Sequence, residues 1–408
     1  MTFPRRPPER RRCLAPRRRA GRCQNYADTC PIVEHRIGSA GATNAADYSA
    51  DNTEHAMRSS GSLVRPAADV GRRLHDDRGL FDAVVSRASA HYGLADSMII
   101  ADYWLIRTLH AWIQAVGNGY VQRRHPDPNL SEVENRAGKF VFAGGTSLSA
   151  AWGIADRWSE DIDMVLSRSP LATPKQLRQA CEQAFRATAN GADSHHTVTD
   201  KSDAHSFASF LRDTKTVARV DVAFKHLAAP QIMTQRETAM SLIGRVVDDD
   251  LLDDCPELGG FEVETLGPCS VAMDKLLAQT QTSESGDLEH IAERARDVYD
   301  LACIAREQHR FEGHIGRDSS ALLRIAEDWH PDGIRRPPDG FASLRAYDQS
   351  TDEHEALAAG YDQVLDNMVW GDKIPLNEAI HLAVSLDPGP REPPRTLAYD
   401  PRVAYPRH

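Results

Sequence analysis

The apolar positions of this chain change period along its length, and each period predicts a kind of element. Between Leu80 and Val116 they recur at helical spacing with a break at Gly93-Leu94-Ala95-Asp96, which predicts two helices. The second carries Ile99, Ile100, Tyr103, Trp104, Ile106, Leu109 and Ile113 around much of its circumference and is expected to be buried. Residues 117–138 are polar with Gly, Asn and Pro and read as a loop. Val141-Phe142-Ala143 then ends a buried strand, Gly144-Gly145 turns the chain, a short helix begins near Leu148, and Gly153 with the polar run Asp156-Arg157 closes it. From Asp161 to Leu166 the period falls to two: Ile162, Met164 and Leu166 share one face of a strand, Asp161 and Asp163 the other.

Further on, Thr173 caps an amphipathic helix over 174–187, and Thr216 to Phe224 alternates Val and Ala with polar residues as a strand with Asp221 at its middle. Phe261 to Leu266 reads as another strand. Cys269 to Arg306 divides into a helix, a polar Thr-Ser-Glu-Ser-Gly-Asp loop and a second helix. Helical patterns over 321–328, 354–368 and 376–384 suit a small bundle, before a Pro-rich tail. DDDLLDD at 248–254 reads as a solvated turn, and His195, His196 and His205 as loop residues rather than metal ligands. The alternation of elements predicts an α/β (α+β) fold, a small mixed sheet flanked by helices with a helical C-terminal region.

Chemistry concentrates in residues 141–166, VFAGGTSLSAAWGIADRWSEDIDMVL. Thr146 or Ser147 can cap the helix after the glycine turn, and the N–H groups of that first turn with the positive end of the helix dipole suit a phosphate. Two carboxylates on one strand face beside such a turn suit Mg²⁺, which binds a few carboxylates and completes its shell with phosphate oxygens and water. A GG dipeptide alone is usually a turn, and a DxD alone a solvated face; the order strand, GG-Thr-Ser, helix, Ser-Glu-Asp-Ile-Asp strand is the more specific signal.

That order is the arrangement of the nucleotidyltransferase superfamily, and FVFAGGTSLSAAWGIADRWSEDIDMVL resembles the AbiEii/AbiGii toxin family block F-x-GGTSL-S…R-[FW]-SEDIDL. Asp102-Tyr103-Trp104 resembles an element that precedes the block in that family, and Lys275 with Arg294, Arg296, Asp297, Tyr299 and Asp300 resembles its K…R-x-[KR]-D-x-[YF]-D-L block. With DNMVWGDKIPLNEAIHLAV near the end, the resemblance covers about residues 80–386. It implies a nucleotidyltransferase-type sheet and a toxin of a type IV toxin–antitoxin or phage-defence pair. In that reading Gly144, Gly145, Thr146 and Ser147 hold the phosphates of an NTP, and Asp161 and Asp163 hold Mg²⁺. Asp221 completes the cluster or acts as base, Lys275 contacts the triphosphate, Asp297 sits near the reacting centre, and Asp300 mainly orients its helix. Without the resemblance, the 294–300 charges are ordinary helix-surface ion pairs. The acceptor implied is the tRNA 3′ end and the protein partner a cognate, AbiEi-like antitoxin.

Charge qualifies this picture. The 408-residue chain has a formal net charge of −11, yet residues 1–24 hold nine Arg and one Glu, a local +8 that leaves −19 elsewhere. An acidic body is poorly suited to broad RNA contact, which is dominated by phosphate neutralisation, and better suited to a small-molecule or protein hydroxyl as acceptor. A silent antitoxin-binding module is the reading from another class; all three carboxylates being present speaks against it. The expected organisation is a disordered Arg/Pro-rich and polar extension over 1–75, a nucleotidyltransferase core over 80–266, a helical region over 267–386 completing the cleft, and a Pro-rich tail over 387–408. Seven cysteines without CxxC spacing and no long apolar run predict a cytoplasmic protein with no membrane span.

Overall fold

The computed structural model describes residues 73–115, 120–122, 136–168, 194–200, 204–211, 217–225, 233–311, 319–330 and 333–389. Helices α1 (Arg78–Tyr92) and α2 (Asp96–Ala115) meet at Gly93, where the sequence pattern breaks. Strand β1 (Tyr120–Gln122) lies within the expected loop and pairs with the start of β2 (Arg136–Ala143). Helix α3 (Gly144–Ala150) follows β2 without a gap, and β3 (Asp161–Arg168) returns antiparallel to β2. Next come β4 (Ser194–Asp200), β5 (Ala204–Leu211), β6 (Val217–Lys225), β7 (Thr234–Ala239), α4 (Asp249–Asp254) and β8 (Phe261–Leu266). The rest is helical: α5 (Pro268–Ser285), α6 (Leu288–Glu293), α7 (Ala295–Arg306), α8 (Ser319–Trp329), α9 (Asp352–Asn367) and α10 (Leu376–Ser385).

The sheet runs β4-β5-β6-β3-β2-β8-β7, with β1 on β2. The β3/β6 and β2/β8 pairs are parallel and the others antiparallel, so the sheet is mixed and the α/β class holds. Both faces of its centre are covered. Phe140, Phe142, Ile162, Met164, Leu166, Val220 and Val222 meet Leu105, Ile106, Leu109 and Trp112 of α2 in one core. Val141, Ala143, Val165 and Leu266, one residue out of phase, meet α5, α7 and the C-terminal helices in the other. A strand period of two thus assigns Asp161 and Asp163 to the α5 side before any site is considered.

Several local expectations need correction. β4 and β5 contain His195, His196 and His205, which therefore lie in strands and not in loops. The DDDLLDD turn is the short exposed helix α4, nucleated by the Asp248 carboxylate accepting from the Leu251 N–H at 3.1 Å. The polar loop expected between the two helices of 269–306 shrinks to a corner, because α5 continues to Ser285, the left-handed Gly286 ends it and Asp287 caps α6. The helix expected over 174–187 lies outside the described residues, as do 1–72 and 390–408; of the remainder of the expected extension, Leu74 is buried.

Candidate active site

Ala143 hands the chain directly to α3 at Gly144, which adopts φ +71°. A Cβ there would stand 1.9 Å from Asp163 Oδ2, so the first glycine serves the carboxylate that packs over it. A Cβ at Gly145 would stand 2.1 Å from Arg157 Nη2, so the second makes room for an arginine. No side chain caps α3. Thr146 donates its hydroxyl to the Asp161 carbonyl, and Ser147 donates to the Gly144 carbonyl at 2.8 Å; both residues are buried. The capping role expected of them is overturned: because the helix starts directly after β2, both hydroxyls turn inward, where Thr146 ties the turn to β3 and Ser147 closes the turn on itself.

Asp161, Asp163 and Asp221 converge. In the parallel β3/β6 register Asp163 lies opposite Asp221, and one oxygen from each of the three carboxylates falls within 4.8 Å of the others. Burial, with the neighbouring Asp161 and Asp221 charges, pushes the Asp163 carboxyl up to about 7. Arg219, two residues before Asp221, forks onto it with Nε to Oδ1 at 3.1 Å and Nη2 to Oδ2 at 2.7 Å.

Across a cavity of about 280 Å³ from these carboxylates stands α5, with Lys275 and Asp274 lining it; Gly144, Asp163, Asp221 and Arg294 line it too. Lys275 is ion-paired to Asp297 and, at 3.0 Å, to Asp300. Despite burial, the two carboxylates hold the Lys275 ammonium above its ordinary value, so it stays charged. Asp297 also receives Arg294 Nη1 at 3.2 Å, and against the cost of burial Lys275 and Arg294 hold its carboxyl well below the usual range. Asp297 is buried behind this pair and does not line the cavity. These are not surface ion pairs: Asp297 and Asp300 are 1% and 0% exposed.

Arg157, in the polar run that closes α3, does not line the cavity but lies buried beneath the glycine turn. Its side chain is 1% exposed, and Nε and Nη2 each reach an Asp300 oxygen at 2.6 Å. Asp300 therefore does more than orient its helix, because it joins Arg157 beneath the glycine turn to Lys275 on α5. Arg157 stands in the RWSEDID run quoted from the sequence, which was the available signal; its partner, 143 residues away, gave none. Arg294 and Asp274 were likewise missed as cavity residues.

Of the candidate residues, the structure gathers Gly144, Asp161, Asp163, Asp221 and Lys275 at the cavity or its carboxylate cluster and sets Asp297 behind them. Gly145, Thr146 and Ser147 are buried in α3 at its edge. Residues 131–394 match the family model described as nucleotidyl transferase AbiEii toxin, type IV TA system. The chain belongs to the AbiEii nucleotidyl transferase toxin family. A search of curated proteins found no match. The AbiEii match begins after Asp102-Tyr103-Trp104, so that part of the resemblance lies outside it. AbiEii membership implies an NTP substrate and a cognate antitoxin. Among the described residues, no helix is long and apolar enough to cross a membrane.

Proposed function

We propose that this AbiEii-family chain is a Mg²⁺-dependent nucleotidyltransferase toxin that moves NMP from an NTP to an acceptor hydroxyl, the acceptor being the tRNA 3′ end. The observation that carries the reading is the placement of Asp161, Asp163 and Asp221 on one face of β3 and β6, with Lys275 across the same cavity. Three oxygen donors without His or Cys fit a hard divalent cation. Asp161, Asp163 and Asp221 would hold it, and when bound it supplies charge neutralisation at the reacting phosphates.

The chain's own residues do the rest. Lys275, kept charged and immobilised by Asp297 and Asp300, faces the phosphates with a fixed positive charge, and Arg294 adds a second at the cavity wall. Gly144 brings the backbone of the α3 turn against Asp163, so a phosphate there meets main chain rather than the Thr146 and Ser147 hydroxyls. The acceptor hydroxyl gives its proton to the Asp221 carboxylate as its oxygen attacks the α-phosphorus, the bond to the bridging oxygen of the β-phosphate breaks, and pyrophosphate leaves. Asp297, held ionised between two cations, acts by positioning Lys275. Catalysis rests on orientation and electrostatics. The family's type IV system supplies the setting, with an AbiEi-like antitoxin as partner and the cytoplasm as the place of action.

The test incubates the purified chain and Asp163→Ala with Mg²⁺, each α-labelled NTP, and total tRNA or total protein. Label on tRNA that requires Asp163 is the expected result. Label on protein instead replaces the acceptor with the one that the acidic body favours, and no transfer with any NTP refutes the enzyme reading.

A further inference from the structure

The cavity holds a fourth carboxylate that the metal cluster does not use. Asp274 precedes Lys275 on α5 and lines the same space, while the group of converging acidic oxygens among the described residues comprises Asp161, Asp163 and Asp221 alone. Its side chain is 34% exposed and so open to a ligand, and His330 Nε2 at the end of α8 lies 3.2 Å from its Oδ1. A carboxylate accepts hydrogen bonds and donates none, and at close range it repels a triphosphate. Its complement in an NTP is the part that carries donors, the ribose hydroxyls and the N–H groups of the base.

The surroundings of Asp274 agree. Val271 and Ala278 lie three residues before and four after it, on the same stripe of α5, and both line the cavity. Leu266 and Ala223 line it from the sheet. An aliphatic wall bearing one oriented polar group is how a pocket takes a flat, apolar-faced molecule and fixes its orientation. Consecutive residues of α5 then divide the substrate, Lys275 serving the phosphates and Asp274 the nucleoside.

We infer that Asp274 is a specificity-determining residue that accepts a hydrogen bond from the nucleoside half of the NTP, at a ribose hydroxyl or a base N–H. The inference rests on the nucleotidyltransferase reading above. A site built to pair with a substrate donor rejects the analogue lacking it far more strongly than an apolar pocket rejects a change of size.

The experiment measures kcat/KM with the full chain for the four NTPs and for the 2′-deoxy and 3′-deoxy forms of the preferred one, in the natural protein, Asp274→Asn and Asp274→Ala. The natural chain is expected to discriminate, Asp274→Ala to lose about tenfold or more of one ratio, and Asp274→Asn, whose amide oxygen still accepts, to lose less of the same ratio. Loss of the deoxy ratio places the partner on the ribose, and loss of a base ratio places it on the base. Ratios within one variant do not depend on the fraction of folded enzyme, so a poorly folding variant still answers. Unchanged ratios with a uniform fall in rate overturn the inference and leave Asp274 as a support for His330 at the end of α8, with the enzyme reading intact. A natural chain that uses every nucleotide alike also overturns it, and one that transfers none refutes the enzyme reading and the inference together.

Discussion

Asp163→Asn separates the cost of the carboxylate cluster from its use. Burial and the charges of Asp161 and Asp221 push the Asp163 carboxyl from 3.8 up to about 7. Because the folded chain binds this proton more tightly than the unfolded chain, the stability it contributes is fully present below about pH 4, falls as pH rises and is gone above about pH 7. About three pH units at roughly 1.4 kcal/mol each set a ceiling of about 4 kcal/mol, and screening by solvent in the cavity that Asp163 and Asp221 line lowers the expected figure to ~2 kcal/mol. Asn cannot ionise. In EDTA at pH 8 the variant is therefore expected to be more stable than the natural chain by ~2 kcal/mol, with the difference closing towards pH 4. The assay is urea denaturation followed by tryptophan fluorescence at pH 4, 6 and 8, with EDTA and with Mg²⁺. Saturating Mg²⁺ should reverse the order, since a ligand at a hundred times its Kd adds about 2.7 kcal/mol to the form that binds it. Nucleotide transfer should be lost in the variant throughout. A variant less stable than the natural chain at pH 8 in EDTA, or a difference that ignores pH, would refute the reasoning.

Five further substitutions at four positions probe the surrounding shell. Gly144→Ala places a Cβ 1.9 Å from Asp163 Oδ2 at a left-handed φ, so transfer should fall at least a hundredfold, on the order of 3 kcal/mol, by displacement of a positioned group; near-natural turnover would contradict the packing described. Thr146→Val and Ser147→Ala each remove a hydroxyl that donates to a main-chain carbonyl, so each should lower stability by about 1 kcal/mol with KM for the NTP nearly unchanged, and a large rise in KM would restore the hydroxyls as phosphate ligands. Arg157→Ala leaves the buried Asp300 with Lys275 alone and should cost about 3–5 kcal/mol in chemical denaturation; Arg157→Lys, lacking the fork, should recover only part, and a natural midpoint for the Ala variant would argue against the buried pair.

What the sequence disclosed and what it hid divide along range. The period of two over 161–166 assigned Asp161 and Asp163 to one face, and the apolar run of α2 marked it as buried, because both patterns are written within a single element. The register that sets Asp221 opposite Asp163 joins residues 58 apart in sequence, and only the family resemblance pointed to it. Thr146 and Ser147 misled because cap propensity assumes that a hydroxyl residue precedes the helix, whereas the helix starts earlier, at Gly144. Arg157 misled for the opposite reason, since an isolated arginine beside Asp156 and Trp158 looks like surface until Asp300 arrives from another part of the chain. β4 escaped because Ser194–Asp200 is polar at nearly every position, and Thr197-Val198-Thr199 is the only β-branched signal there.

The two halves of the site are balanced in opposite ways, and that opposition explains why one fold can keep the site both assembled and responsive. On the α5 and α7 side, Arg157, Lys275 and Arg294 face Asp297 and Asp300, so every buried charge there is paired within the chain and the geometry of Lys275 is fixed before any ligand binds. On the β3 side, Asp161 and Asp163 crowd Asp221, whose own partner is Arg219, and Asp163 gives up its proton only at a cost. In the proposed function a divalent cation would repay that cost, and a triphosphate arriving with it would meet Lys275 and Arg294 already in place. The satisfied half would then supply preorganisation, and the frustrated half the driving force for metal and nucleotide to bind together. A change that relieves the frustration, such as Asp163→Asn, is therefore expected to stabilise the chain and silence it in the same step.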